Sequence, residues 1–188
     1  PRGELRALSR GRDLSVGKPD VARGWRKRSL TDGEKRLARR VFGDQLELDT
    51  VRFIGSPKPF DRAFVAGRWF GRDWIVWPNA TLADDYTTQK LSRRATFIHE
   101  LVHVWQAQQG VNLAWAKIRA GDDADAYGYV PDEHCEWGGL NIEQQAMVVE
   151  HAFRLSEGGT APAARAFYRT LAPFPCGLDG DEGGEPRF

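Results

Sequence analysis

Sulfur and histidine are both scarce in this chain: two cysteines, one methionine and 4 histidines in 188 residues. Two cysteines cannot build a disulfide framework. Cys135 and Cys176 could close one bridge, tying the C-terminal segment back to the loop before residue 141 and implying an oxidising compartment, or stay two separate thiols. Neither has a second cysteine at the close spacing of a structural zinc site, so a thiolate zinc centre gains no support. With 27 Lys and Arg against 26 Asp and Glu, the net charge of +1 removes any bulk electrostatic case for nucleic acid, and none is expected as a partner. No apolar run is long enough to span a bilayer, and no secretory leader is visible in the sequence shown. The chain begins at Pro1 and Met147 is its single methionine, so a piece of a longer protein is expected.

What is present suffices for one domain: 41% hydrophobic residues can bury a core without covalent staples. Residues 1–29 carry Arg2, Arg6, Arg10, Arg12, Lys18, Arg23 and Arg26 with few apolar partners, and read as a flexible basic tail. Residues 177–188 are rich in glycine and acid and read as a second tail, which leaves 30–176 as the folded domain.

Within that span Thr31 and Glu34 form a capping box, and Leu37, Val41 and Phe42 keep helical spacing up to Gly43. Residues 46–54 alternate apolar and polar side chains and predict an extended segment or strand after a turn at Asp49-Thr50, until Gly55 to Pro59 break the pattern. Two aromatic-rich runs, 63–70 and 73–77, are separated by Gly71-Arg72 and predict a hairpin in which Trp69, Trp74 and Trp77 pack. A long helix is expected from Thr87 to Gln109, stopped by Gly110, with a further helical piece at 111–119. Residues 120–139 turn polar and irregular. Asn141 and Gln144 then form a second capping box, and Ile142, Ala146, Val149 and Phe153 supply the buried stripe of a last helix.

The long helix carries the chemistry. Residues 99–106 read HELVHVWQ, which places His99, Glu100 and His103 in an HExxH pattern. Residues four apart on a helix share a face one turn apart, so two imidazoles can reach one ion, and Glu100 can take a proton from water held by that ion. Phe97, Ile98, Leu101, Val102 and Trp105 bury one face, and the histidines lie on the stripe beside it, at a cleft edge. Two histidines with a carboxylate suit Zn2+.

Hydrolytic zinc needs three protein ligands and one open position. The pattern HExxHxxGxxH is excluded because positions 106 and 109 are glutamine. A carboxylate from a later helix is the remaining route. Glu143 is the first candidate, since it opens the last helix beside its buried stripe. Glu150, two turns on, is the nearest competitor, or else a residue that orients a ligating imidazole. His134, Glu136 and His151 are weaker candidates. For a donor to stabilise an oxyanion, the preceding loop offers Tyr127, Tyr129 and His134.

The segments from Leu30 to Asp44, FIHELVHVWQ at 97–106 and NIEQQAMVVE at 141–150 resemble the Vgr-related zincin-like proteins of bacteria, over roughly residues 30 to 155. More distantly, they are similar to the metallopeptidase-like domains attached to bacterial polymorphic toxins. The resemblance implies an α+β, zincin-like fold with a small, mostly antiparallel sheet packed on the HExxH helix and a second ligand-bearing helix. It also implies a gluzincin-type zinc metallopeptidase that hydrolyses a peptide or protein substrate, with His99, His103 and Glu143 as ligands and Glu100 as the catalytic carboxylate. One departure stands out: gluzincins of the thermolysin type place an acid four residues after the ligand glutamate, and here that residue is Met147. Two other readings follow from the same likeness. One is a non-catalytic or weakly active zinc-binding adaptor or cargo domain of a type VI secretion apparatus; the other is a self-processing domain of a toxin. The location implied is the bacterial cytoplasm or export through a contractile secretion system.

Overall fold

The computed structural model describes residues 26–59, 61–121 and 124–178. The basic segment 1–25 and the acidic segment from 179 onward, read above as tails, lie outside the described residues. The fold is α+β, a small mixed sheet packed against helices.

Both capping boxes form. The Thr31 hydroxyl accepts from the Glu34 N–H at 3.1 Å while the Glu34 carboxylate accepts from the Thr31 N–H at 2.9 Å, opening α1 (Asp32–Phe42). Gly43 ends α1 with φ 59, a conformation that costs glycine least. The extended segment begins after the turn expected at Asp49-Thr50. Thr50 Oγ1 donates to the Glu47 carbonyl at 2.7 Å, and Leu48–Thr50 is a 3-10 turn before β2 (Val51–Ser56). Gly55 does not break this strand but lies inside it. A Cβ there would come within 2.1 Å of Asn79 Oδ1, so the glycine marks a close approach.

The hairpin joins β3 (Phe64–Trp69) to β4 (Arg72–Pro78) as expected. Its two loop residues, Phe70 and Gly71, have φ of 53 and 69, both positive as the twist of a tight hairpin demands. The strand order is β1-β2-β4-β3, where β1 is Lys27–Ser29, at the end of the segment read as basic tail. Its pairing with β2 and that of β3 with β4 are antiparallel, but β2 and β4 run parallel. The sheet is therefore mixed rather than simply antiparallel: the chain leaves β2, turns at the far edge and returns as β4 beside it.

Alternation along β2 and β4 turns Phe53, Ile75 and Trp77 onto one buried face. There Phe53, Trp77, Tyr86 and Phe97 form an aromatic cluster, with Tyr86 stacked on Phe97 at 5.2 Å between centroids, which seats the HExxH helix on the sheet. That helix, α2 (Leu91–Gln108), starts four residues after the expected Thr87. Asp85 explains the delay, because its carboxylate accepts from the Thr87 N–H at 2.8 Å and holds Tyr86–Thr88 as a separate 3-10 turn.

Helix α3 (Leu113–Ala120) follows, then the short α4 (Ala124–Tyr127), α5 (Ile142–Ser156) and α6 (Arg165–Leu171). Asn141 Oδ1 accepts from both the Glu143 and Gln144 N–H groups at 2.9 Å, which sets where α5 begins. Glu157, just past α5, pairs with Arg40 of α1 and Arg94 of α2. Cys135 and Cys176 are not joined in a disulfide, so the two-thiol alternative holds. Of the three tryptophans expected to pack, Trp77 does and Trp74 is half-buried, whereas Trp69 is 61% exposed at the end of an edge strand.

Candidate metal centre

Helix α2 presents His99 and His103 one turn apart, with ring centroids separated by 5.0 Å, and α5 crosses beneath them with Glu143 in its first turn. All three side chains are buried. Glu143 Oε2 lies 3.3 Å from His99 Nε2 and 3.3 Å from His103 Nε2. The three ligand atoms thus fall within 4.8 Å of one another, the one such group among the described residues.

The other ring nitrogens are already committed. His99 Nδ1 sits 3.1 Å from Glu150 Oε2, and His103 Nδ1 sits 2.8 Å from Gln106 Oε1. Gln106 presents its oxygen because its amide nitrogen donates to the Ile142 carbonyl at 3.1 Å and to Gln145 Oε1 at 2.9 Å. Glu150 is held in turn by Arg154, whose Nη2 donates at 2.6 Å. Both imidazoles can therefore donate from Nδ1, and in that tautomer each Nε2 turns its lone pair toward Glu143.

Three acceptors that converge without a hydrogen between them repel unless a proton or a cation joins them. Without a cation, a proton does so. Burial disfavours charge on His99, but its contacts with Glu143 and Glu150 outweigh burial and push the ring up to about 10. Burial works likewise against charge on Glu143, and the hydrogen bonds from His103 and His99 overcome it, holding its carboxyl well below the usual range. A divalent ion would satisfy all three atoms at once, and two imidazoles with one carboxylate are a set that zinc takes. The residues fit it.

Loading such an ion must displace the proton from His99, with a sign that follows directly. Zinc affinity is expected to rise as pH rises from 6 to 8, with roughly one proton released per ion bound near neutrality. Calorimetric titration in two buffers of different ionisation enthalpy checks this. Equal heats in both would show that no proton leaves.

Glu100 lies beside the first histidine, 5% exposed, and its Oε2 has no hydrogen-bond partner among the described residues. Burial raises its carboxyl above the ordinary glutamate value, more than the nearby imidazoles lower it. An unpartnered buried carboxylate oxygen is costly and calls for a ligand or water in the cavity.

That cavity, of about 570 Å³, is lined by His99, Glu100, His103 and Glu143, by Val65 and Trp69 of the edge strand, and by Lys117 of α3. A second, of about 440 Å³, continues past His99 and Glu100 toward Arg93 and Met147. Arg62 and Tyr127 line both. A groove therefore crosses the centre.

Of the three donors expected on the loop, only Tyr127 reaches this groove. Tyr129 is drawn away, its hydroxyl 2.7 Å from His151 Nδ1 and 3.0 Å from Tyr168 Oη, with its ring stacked on Phe167. The side chain of His134 is 85% exposed beside Glu133. His151 is occupied by Tyr129, and Glu136 does not line the groove. Glu150 contacts the Nδ1 of His99 rather than joining the cluster. Gln106 stands where the excluded pattern needs glycine, yet it lies three residues after His103 on the same helix face, the spacing that could have revealed it. Lys117 and Trp69 carry no local signal.

No family model matches the chain. It is 34% identical, over 91% of its length, to the type VI secretion system spike protein VgrG2b of Pseudomonas aeruginosa, of which it spans 17%. Among solved structures it is similar to the effector domain of that VgrG2b, with a TM-score of 0.58 and 28% identity, covering 83% of this chain and 86% of that domain. This homology links the chain to the Vgr-related proteins of type VI secretion.

Proposed function

We propose that the chain is an effector module associated with type VI secretion, and that its chemistry is zinc-dependent hydrolysis of peptide bonds. The likeness to the VgrG2b effector domain supports the first part, and favours the secretion-associated reading over that of a free-standing peptidase. A spike or other component of the secretion apparatus is then its partner. No helix among the described residues is long and apolar enough to cross a membrane.

The second part rests on one observation: two imidazole nitrogens and a carboxylate oxygen converge beside a buried carboxylate that lacks a partner among the described residues. His99, His103 and Glu143 would hold zinc. When bound, that ion supplies Lewis acidity, polarising a carbonyl and making water acidic near neutral pH. Glu100 accepts the proton of the attacking water as its oxygen bonds to the carbonyl carbon, and then gives that proton to the amine as the C–N bond breaks. Glu150 and Gln106 keep both imidazoles in the tautomer that leaves Nε2 open. β3 is the sheet edge that lines the groove, and its outer backbone groups can pair with an extended peptide.

Metal content and turnover test the reading together. The purified chain is expected to take up one zinc ion and to cleave casein or a quenched peptide; a chelator abolishes cleavage and added zinc restores it. Stoichiometric zinc without turnover would leave a secretion-associated binding domain and reject the peptidase.

A further inference from the structure

A hydrolytic site needs a donor for the oxyanion that forms when water adds to a carbonyl, and the groove supplies one that the loop sequence does not suggest. Lys117 projects from α3 into the same cavity as the three converging ligand atoms. Its Nζ lies 3.2 Å from Glu143 Oε1, while the other oxygen of that carboxylate is the one facing both imidazoles. The ammonium thus stands one carboxylate's width from the centre, in the cavity that Glu100 also lines. Tyr129 and His134 are directed elsewhere.

Building on the peptidase reading, we propose that Lys117 is a catalytic residue whose ammonium donates a hydrogen bond to the oxyanion of the tetrahedral intermediate. An ammonium has three hydrogens, so one can stay on Glu143 Oε1 while another turns toward the substrate oxygen. The side chain is 44% exposed on a helix that buries none of its residues, which gives its four-carbon stem room to make that turn. As water adds, the carbonyl π pair moves onto oxygen beside the ammonium, and no proton need leave Lys117. When the amine departs, the pair returns to re-form the carbonyl of the new carboxyl group, whose remaining proton passes to solvent, and the hydrogen bond relaxes. The interaction is strongest where charge is greatest, so it lowers the barrier more than it tightens substrate binding.

The test compares Lys117→Met, Lys117→Arg and Tyr127→Phe, each loaded with zinc, by peptide cleavage and by calorimetric binding of a blocked dipeptide phosphonate, whose tetrahedral anion mimics the intermediate. Lys117→Met is expected to lose about 100-fold or more in kcat with KM changed little. Phosphonate affinity should fall in parallel while zinc stoichiometry stays at one, and Lys117→Arg should recover part of both. Because the position is half-exposed, the far-ultraviolet circular dichroism should not change. If zinc content falls in step with activity, Lys117 only holds Glu143 in place, and the proposal is overturned. It is overturned also if Tyr127→Phe loses phosphonate binding and Lys117→Met does not. Failure of the wild-type protein to take up zinc would sink the peptidase reading itself, an outcome distinct from zinc uptake with phosphonate binding indifferent to Lys117.

Discussion

Glu100→Gln, loaded with zinc, is expected to cleave peptides about 100- to 10,000-fold more slowly than the wild type, with its metal content unchanged. The amide keeps the size of the carboxylate and so should keep the packing of α2, on which Phe97, Ile98 and Leu101 are fully buried. What it loses is basicity. Glu100 sits outside the cluster of ligand atoms, so zinc uptake should survive, and the two measurements separate the base from the metal site. Burial also removes a cost in the variant, because a neutral amide in a desolvated position is less penalised than a carboxylate. Glu100→Gln should therefore match the wild type in stability or exceed it slightly, as functional groups held in unfavourable surroundings often allow. Cleavage by the variant at the wild-type rate would show that Glu100 is not the base.

The largest expected loss of stability comes from Glu34→Ala. This buried carboxylate accepts from Arg28 Nη1 at 2.7 Å and Nη2 at 2.8 Å, from the Thr31 N–H at 2.9 Å and from the Tyr86 N–H at 2.9 Å. One side chain thereby joins β1, the start of α1 and the turn that leads into α2. Truncation would leave Arg28, whose guanidinium lies 4.2 Å from the Phe53 ring centroid, without its counter-charge, and the Tyr86 N–H buried without an acceptor. Breaking a buried pair from one side costs about 3–5 kcal/mol. For a domain of this size that lowers Tm by roughly 6–20 °C. Lys35→Ala is the control: its partner Asp49 is 84% exposed, and such solvent-screened pairs add little to stability. Thermal and urea denaturation of the two variants check the contrast. If Glu34→Ala costs no more than Lys35→Ala, this buried network does not hold the elements together.

Where the sequence reading succeeded, short-range chemistry was at work. A capping box spans three residues, an HExxH pair spans one helical turn, and the hairpin turn, expected at Gly71-Arg72 and found one residue earlier at Phe70-Gly71, lies between two neighbouring runs. Where it fell short, a distant group intervened. Asp85 delayed α2, Asn79 explained Gly55, and the return of β4 beside β2 made the centre of the sheet parallel. Tyr129 was a reasonable donor until Tyr168 and His151 engaged its hydroxyl.

From order alone came the helix that carries two imidazoles on one face, the carboxylate between them, and the capped helix that opens near Glu143. These follow from a backbone repeat that covalent geometry imposes on neighbouring residues. Only the packed structure decided that Glu143 meets both rings, that Glu150 and Gln106 set their tautomers, and that Lys117 rather than Tyr129 or His134 stands at the groove. Those meetings depend on the crossing of α2, α3 and α5, and how helices far apart in the chain cross is set by the core they jointly bury.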